Sequence, residues 1–157
     1  MPTFSNIKDL EKYVQGKVKD TIKSPQVLNV FRHAMVDSVY TEVNDYYDPH
    51  AYERSYDVGG LSDARNMVFT KHKLNGNTFA SDFENLTSDS MDGYFISELI
   101  ENGSDIQHTS SNSENGWFNP DEKWAEPRPF AKATAEKLDK TTYNKHLKNV
   151  LEQGINN

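Results

Sequence analysis

Asn75-Gly76-Asn77 is the local signal that most restricts what this chain can become. Asn and Gly accept the positive φ angles of a tight hairpin turn at little steric cost. On one side lies the apolar, β-prone run Met67-Val68-Phe69-Thr70, extending to about Leu74. On the other, Phe79, Ser81 and Phe83 alternate with Thr78, Ala80 and Asp82, as in a half-buried strand. The pattern predicts a β-hairpin over residues 65–87. A lone hairpin is marginal in water, so it must pack on other elements, either helices alone or helices and further strands.

The rest of the chain supplies helices. Ile7, Leu10, Val14, Val18 and Ile22 recur at spacings of three and four, one apolar stripe on a helix from about Asn6 to Ile22, with Ser5 as its expected N-cap. Gly16 is a weak point within it. Ser24-Pro25 starts a second helix, cap residue then Pro at the first position. Its stripe is Leu28, Phe31, Met35, Val39, Val43 and Tyr46, and Asp48-Pro49 ends it. Gly59-Gly60 predicts a sharp bend, which ion pairs among Asp57, Asp63, Arg54 and Arg65 would fix. Met91 to Glu101 reads as a short helix with Asn102-Gly103 as its C-cap. Pro127-Arg128-Pro129-Phe130 is a stiff extended segment leading to a helix over about 131–153, interrupted near Thr141-Thr142, with Gly154 as C′.

These elements predict a single α+β domain over residues 1–157. An antiparallel β-sheet that includes the 65–87 hairpin packs against a helical N-terminal part (5–47) and a long C-terminal helix (131–153). A chain of 157 residues is long enough for a core without staples. It contains no cysteine, which removes disulfides, thiolate metal sites and cysteine nucleophiles. No apolar run reaches the roughly 20 residues of a membrane helix, and no signal peptide is visible, so the expected location is the cytoplasm of the cell that makes the chain, and no membrane partner is expected.

The net charge of −7 is unevenly spread. Residues 1–40 carry six Lys/Arg against four Asp/Glu, residues 41–126 five against seventeen, and residues 127–157 six against three. Nucleic-acid binding needs a basic face, and the acidic middle would repel DNA. A solvated acidic surface is the plainer reading of that segment. Complementarity between neighbouring subunits, basic ends against acidic middle, is the sharper one.

The sequence presents no catalytic pattern and implies no cofactor and no metal. His33, His50, His72, His108 and His146 show no metal-ligand spacing. No serine occupies a nucleophile elbow, and Gly59-Gly60 is not followed by the Lys-Ser/Thr of a phosphate loop. A hydrolase or nuclease using Asp121, Glu122 and a histidine such as His108 would need carboxylates from separated elements, whereas these lie in one polar loop. That loop, residues 104–126, is long for a compact domain and carries Trp117, Phe118 and Trp124. Such residues are either core or interface anchors.

Several pieces resemble one family. Tyr52 and Arg54, followed by Gly60-Leu61, resemble the segment that precedes the first strand of small phage neck proteins. Leu99-Ile100-Glu101-Asn102-Gly103 is similar to a helix end in those proteins, and Pro127-Arg128-Pro129-Phe130 to the approach to their last helix. Leu147, Leu151 and Gly154-Ile155 are similar to the end of that helix. In order, they span roughly residues 28–155 and resemble the head–tail joining, or tail-completion, proteins of long-tailed bacteriophages, also called minor capsid proteins.

The resemblance implies a virion structural protein located at the neck. It would form a homo-oligomeric connector ring, hexameric or dodecameric, joining the DNA-filled capsid to the tail. Its partners would be copies of itself, portal or adaptor proteins, and tail terminator or tail tube proteins. Genomic DNA would pass through without specific binding. The interface candidates are Trp117, Phe118, Trp124, Arg128, Phe130, Tyr52 and Arg54. Only Arg54 stands where relatives often have two adjacent basic residues, and Asn112–Trp124 is longer and more acidic than the family's pattern. An alternative function is an acidic binding module or inhibitor that masks a basic partner.

Overall fold

The computed structural model describes residues 3–45, 59–75, 78–88, 96–103 and 127–156. It has the expected α+β architecture, a two-stranded antiparallel sheet set against helices. Helix α1 spans Ile7–Ile22. Its cap is Asn6, one residue after the expected Ser5. The Asn6 side chain accepts the Asp9 N–H at 3.0 Å, and Asp9 in turn accepts the Ser5 hydroxyl and the Asn6 amide, both at 2.9 Å. Ser5 therefore supports the cap from outside the helix.

Helix α2 (Pro25–Val39) begins as expected, with Pro25 in the first turn and the Ser24 hydroxyl accepting the Val27 N–H at 3.3 Å. It is the central element: Val27, Val30, Ala34, Met35, Ser38 and Val39 are all buried. The buried Ser38 hydroxyl is satisfied by the Ala34 carbonyl one turn back, at 2.9 Å. Past Val39 the helix widens into a π-helical turn, Tyr40–Asn44, closed by Asp45 N–H to the Tyr40 carbonyl at 2.9 Å. The wider turn keeps Val43 in the core with Met35 and Val39. The Asp48-Pro49 stop expected for this helix lies outside the described residues.

Strands β1 (Met67–Asn75) and β2 (Thr78–Asn85) form the predicted hairpin, in register from Met67 opposite Asn85 to Asn75 opposite Thr78. Gly76 and Asn77 of the expected turn lie outside the described residues. The ladder carries a bulge that the alternation did not reveal: Lys71 and His72 together face Ser81. Lys71 takes up the extra residue at φ 45°, a conformation costly for a side chain with a Cβ. Its ammonium pairs with Glu84 at 3.2 Å, and the Ser81 hydroxyl reaches the Thr70 carbonyl at 3.2 Å. Among the described residues the sheet has two strands, so the helices cover it. Phe31 of α2 meets Phe69 and Phe83, a cross-strand pair, with centroids 5.0 to 5.3 Å apart in edge-on or tilted geometry. Arg32 Nε donates to the Met67 carbonyl at 2.9 Å where β1 begins.

Helix α3 is Ile96–Asn102, and Gly103 ends it at φ 71°, the expected left-handed cap. Residues 91–95 of the expected 91–101 helix lie outside the described residues. The C-terminal segment is two helices, α4 (Phe130–Lys140) and α5 (Thr142–Asn156), separated at the expected interruption. Thr141 is extended, and its hydroxyl accepts the Tyr143 N–H at 3.3 Å. Asp37 of α2 draws both helices in: Lys137 Nζ lies 3.6 Å away, and the Tyr143 hydroxyl donates at 3.3 Å. Burial, then the Asp37 carboxylate, raises the Tyr143 pKa above its ordinary value.

Gly154 corrects an expectation. Helix α5 runs through it to Asn156, so it is not C′. A Cβ there would collide with the Thr21 side chain of α1, whose own Cβ would be 3.1 Å away. Gly154 is required for close helix–helix approach, a constraint that outweighs its poor helix propensity.

Candidate functional site

Two motifs far apart in sequence meet at one place. The Ile100 carbonyl at the end of α3 accepts the Arg128 N–H at 2.9 Å. The next residue, Glu101, caps α4 from outside, its carboxylate accepting the Ala131 N–H at 2.7 Å and the Lys132 N–H at 3.4 Å. Pro129 precedes α4 and has no side chain to cap it, so a carboxylate from α3 satisfies the orphan donors and sits favourably at the positive end of the helix. The end of α3 and the start of α4 are therefore held together at a clamp.

Of the interface candidates, Arg128 lies in this clamp, half-buried, contributing its backbone. Phe130 is a correction: it is 2% exposed and packs with Met35, Val39, Val43 and Met67 as part of the main core. As the first residue of α4, it turns its ring inward and anchors the clamp to the interior, so it presents no surface to a partner. Tyr52, Arg54, Trp117, Phe118 and Trp124 lie outside the described residues, as do His50, His108, Asp121 and Glu122. His33, His72 and His146 are exposed. Among the described residues no three His, Asp or Glu side chains gather to hold a metal ion, and no helix is long and apolar enough to cross a membrane.

Beside the clamp opens a groove of about 320 Å³ between β2, α3 and the start of α4. Phe83 and Leu86 supply the accessible apolar lining, over the buried Met35 and Phe130, and Glu84, Glu98 and Glu101 supply carboxylates, with Lys71 as the basic residue among the lining. The far wall is held by a buried polar knot. The Asn85 amide donates to the Leu61 carbonyl at 2.7 Å, and its oxygen accepts the Thr87 hydroxyl at 2.6 Å and the Thr87 N–H at 3.1 Å. The Thr87 hydroxyl accepts from Asn66 at 3.1 Å. The Ser97 hydroxyl donates to the Asn85 carbonyl at 2.6 Å and ties α3 to the same point.

The Gly59-Gly60 bend ends in the expected ion pair. Buried Asp63 accepts the Gly59 N–H at 2.7 Å and the Arg65 N–H at 2.9 Å, and its carboxylate faces the Arg65 guanidinium at 2.7 Å. The Arg65 side-chain bond, then those two backbone donors, hold its pKa far below the ordinary 3.8. Because the folded-state pKa is depressed, the stabilisation is present above the unfolded value and is lost as pH falls toward the folded one. Asp63→Asn is expected to destabilise the protein at neutral pH, with the gap narrowing below about pH 4. Urea midpoints at pH 7 and pH 3 check this. An equal gap at both would show that the carboxylate charge does not hold the bend.

Helix α1 carries the feature that periodicity alone could not reveal. Its lower part docks on the rest of the fold, with Thr21 buried against Gly154. Its upper part is bare: Ile7 is 83% exposed, Leu10 44%, Tyr13 40% and Val14 46%. Phe4 folds back onto Tyr13, ring centroids 5.1 Å apart, and extends this apolar face. The expected stripe exists, but the fold covers only one end of it.

No curated protein and no solved structure matches the chain. The family model of YomN, the name of a protein from the SPbeta region of a Bacillus phage, matches residues 6–157 and so takes in every described element from α1 to α5; the chain belongs to the YomN family.

Proposed function

We propose that this chain is a structural assembly subunit of a phage particle, a neck protein whose homo-oligomeric ring joins the DNA-filled capsid to the tail. One observation carries the assembly reading: the open apolar face of α1, made by Ile7, Leu10, Tyr13 and Val14. A contiguous apolar face on a small protein marks a surface that another protein covers. The neck position rests on the motif resemblance, two pieces of which, Ile100-Glu101 and Arg128, are joined in the clamp. The acidic segment 41–126 suits a surface past which DNA slides without adhering.

Light scattering of the purified protein, alone and mixed with phage capsids or tails, tests the reading. A closed ring, or a monomer that joins the particle at the head–tail junction, is expected. A monomer that joins neither capsids nor tails would overturn it.

A further inference from the structure

Helix α1 and the groove are complementary, and they lie on different parts of the molecule. We propose that the exposed end of α1 from one copy docks into the groove between β2, α3 and α4 of a second copy. The inference rests on the assembly reading and names the contact through which copies would join.

Ile7, Leu10 and Val14 stand at i, i+3 and i+7 on α1, the spacing of anchors with which an amphipathic helix occupies an apolar groove. All three are exposed. The groove offers Phe83 and Leu86 to such anchors, and no residue of α1 or α5 lines it. Within one chain, α1 packs on α5, so the groove is met by another copy's helix.

Charge selects the same pairing. Glu84, Glu98 and Glu101 against Lys71 leave the groove lining acidic. Lys8, Lys12 and Lys17 accompany the stripe on α1, whose acidic residues there are Asp9, held in the cap, and Glu11. The pattern extends to whole segments: residues 1–40 and 127–157 are net basic, and residues 41–126 carry seventeen Asp/Glu against five Lys/Arg. A head-to-tail contact sets the basic end against the acidic middle. The other occupant at hand, the chain's own segment 104–126, is itself acidic, with Asp105, Glu114, Asp121, Glu122 and Glu126 against Lys123. It would meet the groove's carboxylates with like charge.

Two full-length variants test the contact. Leu10→Glu with Val14→Glu spoils the helix and leaves the groove intact. Leu86→Lys with Glu98→Lys spoils the groove and leaves the helix intact. All four positions are exposed, and circular dichroism confirms that both variants fold. The wild-type chain is expected to self-associate, more weakly as salt rises. Each variant alone is expected to lose at least about tenfold in self-affinity. The two mixed are expected to form a one-to-one dimer and nothing larger, because one good helix and one good groove remain. Wild-type association without dimers in the mixture would overturn the contact and leave the assembly reading standing. A wild-type chain that stays monomeric in solution yet joins phage particles would also overturn it.

Discussion

Phe130→Ala is expected to lower the stability of the protein by about 3–5 kcal/mol, with a fall in Tm of roughly 10 °C. The ring is 2% exposed and shares one core cluster with three other elements: Met35 and Val39 on α2, Val43 on the π-helical turn, and Met67 at the start of β1. Its removal leaves a cavity at the centre of the fold, which the helix ends around it can fill only in part. The damage should also reach the clamp, since Phe130 is the first residue of α4 and Glu101 caps the next two N–H groups. Phe130→Leu keeps most of the volume and should cost markedly less. Thermal melts of both variants check this. A Phe130→Ala protein that melts like the wild type but fails to assemble would return the residue to the interface.

The second large effect is expected at Asn85. Asn85→Ala removes the donor to the Leu61 carbonyl and the acceptor of both the Thr87 N–H and the Thr87 hydroxyl. The side chains of Asn85 and Thr87 are both buried, so water does not readily replace what is lost. The Thr87 hydroxyl keeps the Gly60 carbonyl at 3.3 Å, so two groups are orphaned, and at about 1–3 kcal/mol each the total is expected to be about 2–6 kcal/mol. The penalty belongs to the unmatched partners rather than to the bonds themselves. Thr87→Val added to Asn85→Ala should therefore cost less than the two single changes summed. A double-mutant cycle by urea unfolding measures this, and strict additivity would show that the knot does not act as a unit. Hydrogen exchange should report the damage at the Gly59-Gly60 bend and at α3, both of which the knot ties to β2.

The expectations that held are those carried by short-range physics. Pro25 after Ser24 and the left-handed Gly103 needed only their immediate neighbours to be legible. The hairpin followed from the turn signal and the alternation on either side, with a one-residue shift of register at the bulge. The cap of α1 moved from Ser5 to Asn6 because both residues can accept an N–H and the choice rests on a local network with Asp9. The bulge at Lys71 was not legible, since nothing in a Lys-His pair announces a left-handed residue. The external cap of α4 left a faint trace: a Pro-led helix without a capping side chain of its own, and a carboxylate in the motif that ends α3.

Where helices and strands form is legible in the order of residues, because periodicity, caps and turn chemistry act over a few residues. Tertiary structure alone decided which apolar residues are covered, because burial depends on what lies opposite. Phe130 and Leu10 both belong to regular helical stripes. One is sealed in the core between α2, β1 and α4, and the other stands in the open because no described element covers the upper part of α1. Gly154 makes the same point: its local environment suggests a helix end, and the approach of Thr21 makes it a packing contact inside a helix that continues. The groove, too, exists only where β2, α3 and α4 converge, and their residues stand far apart along the chain.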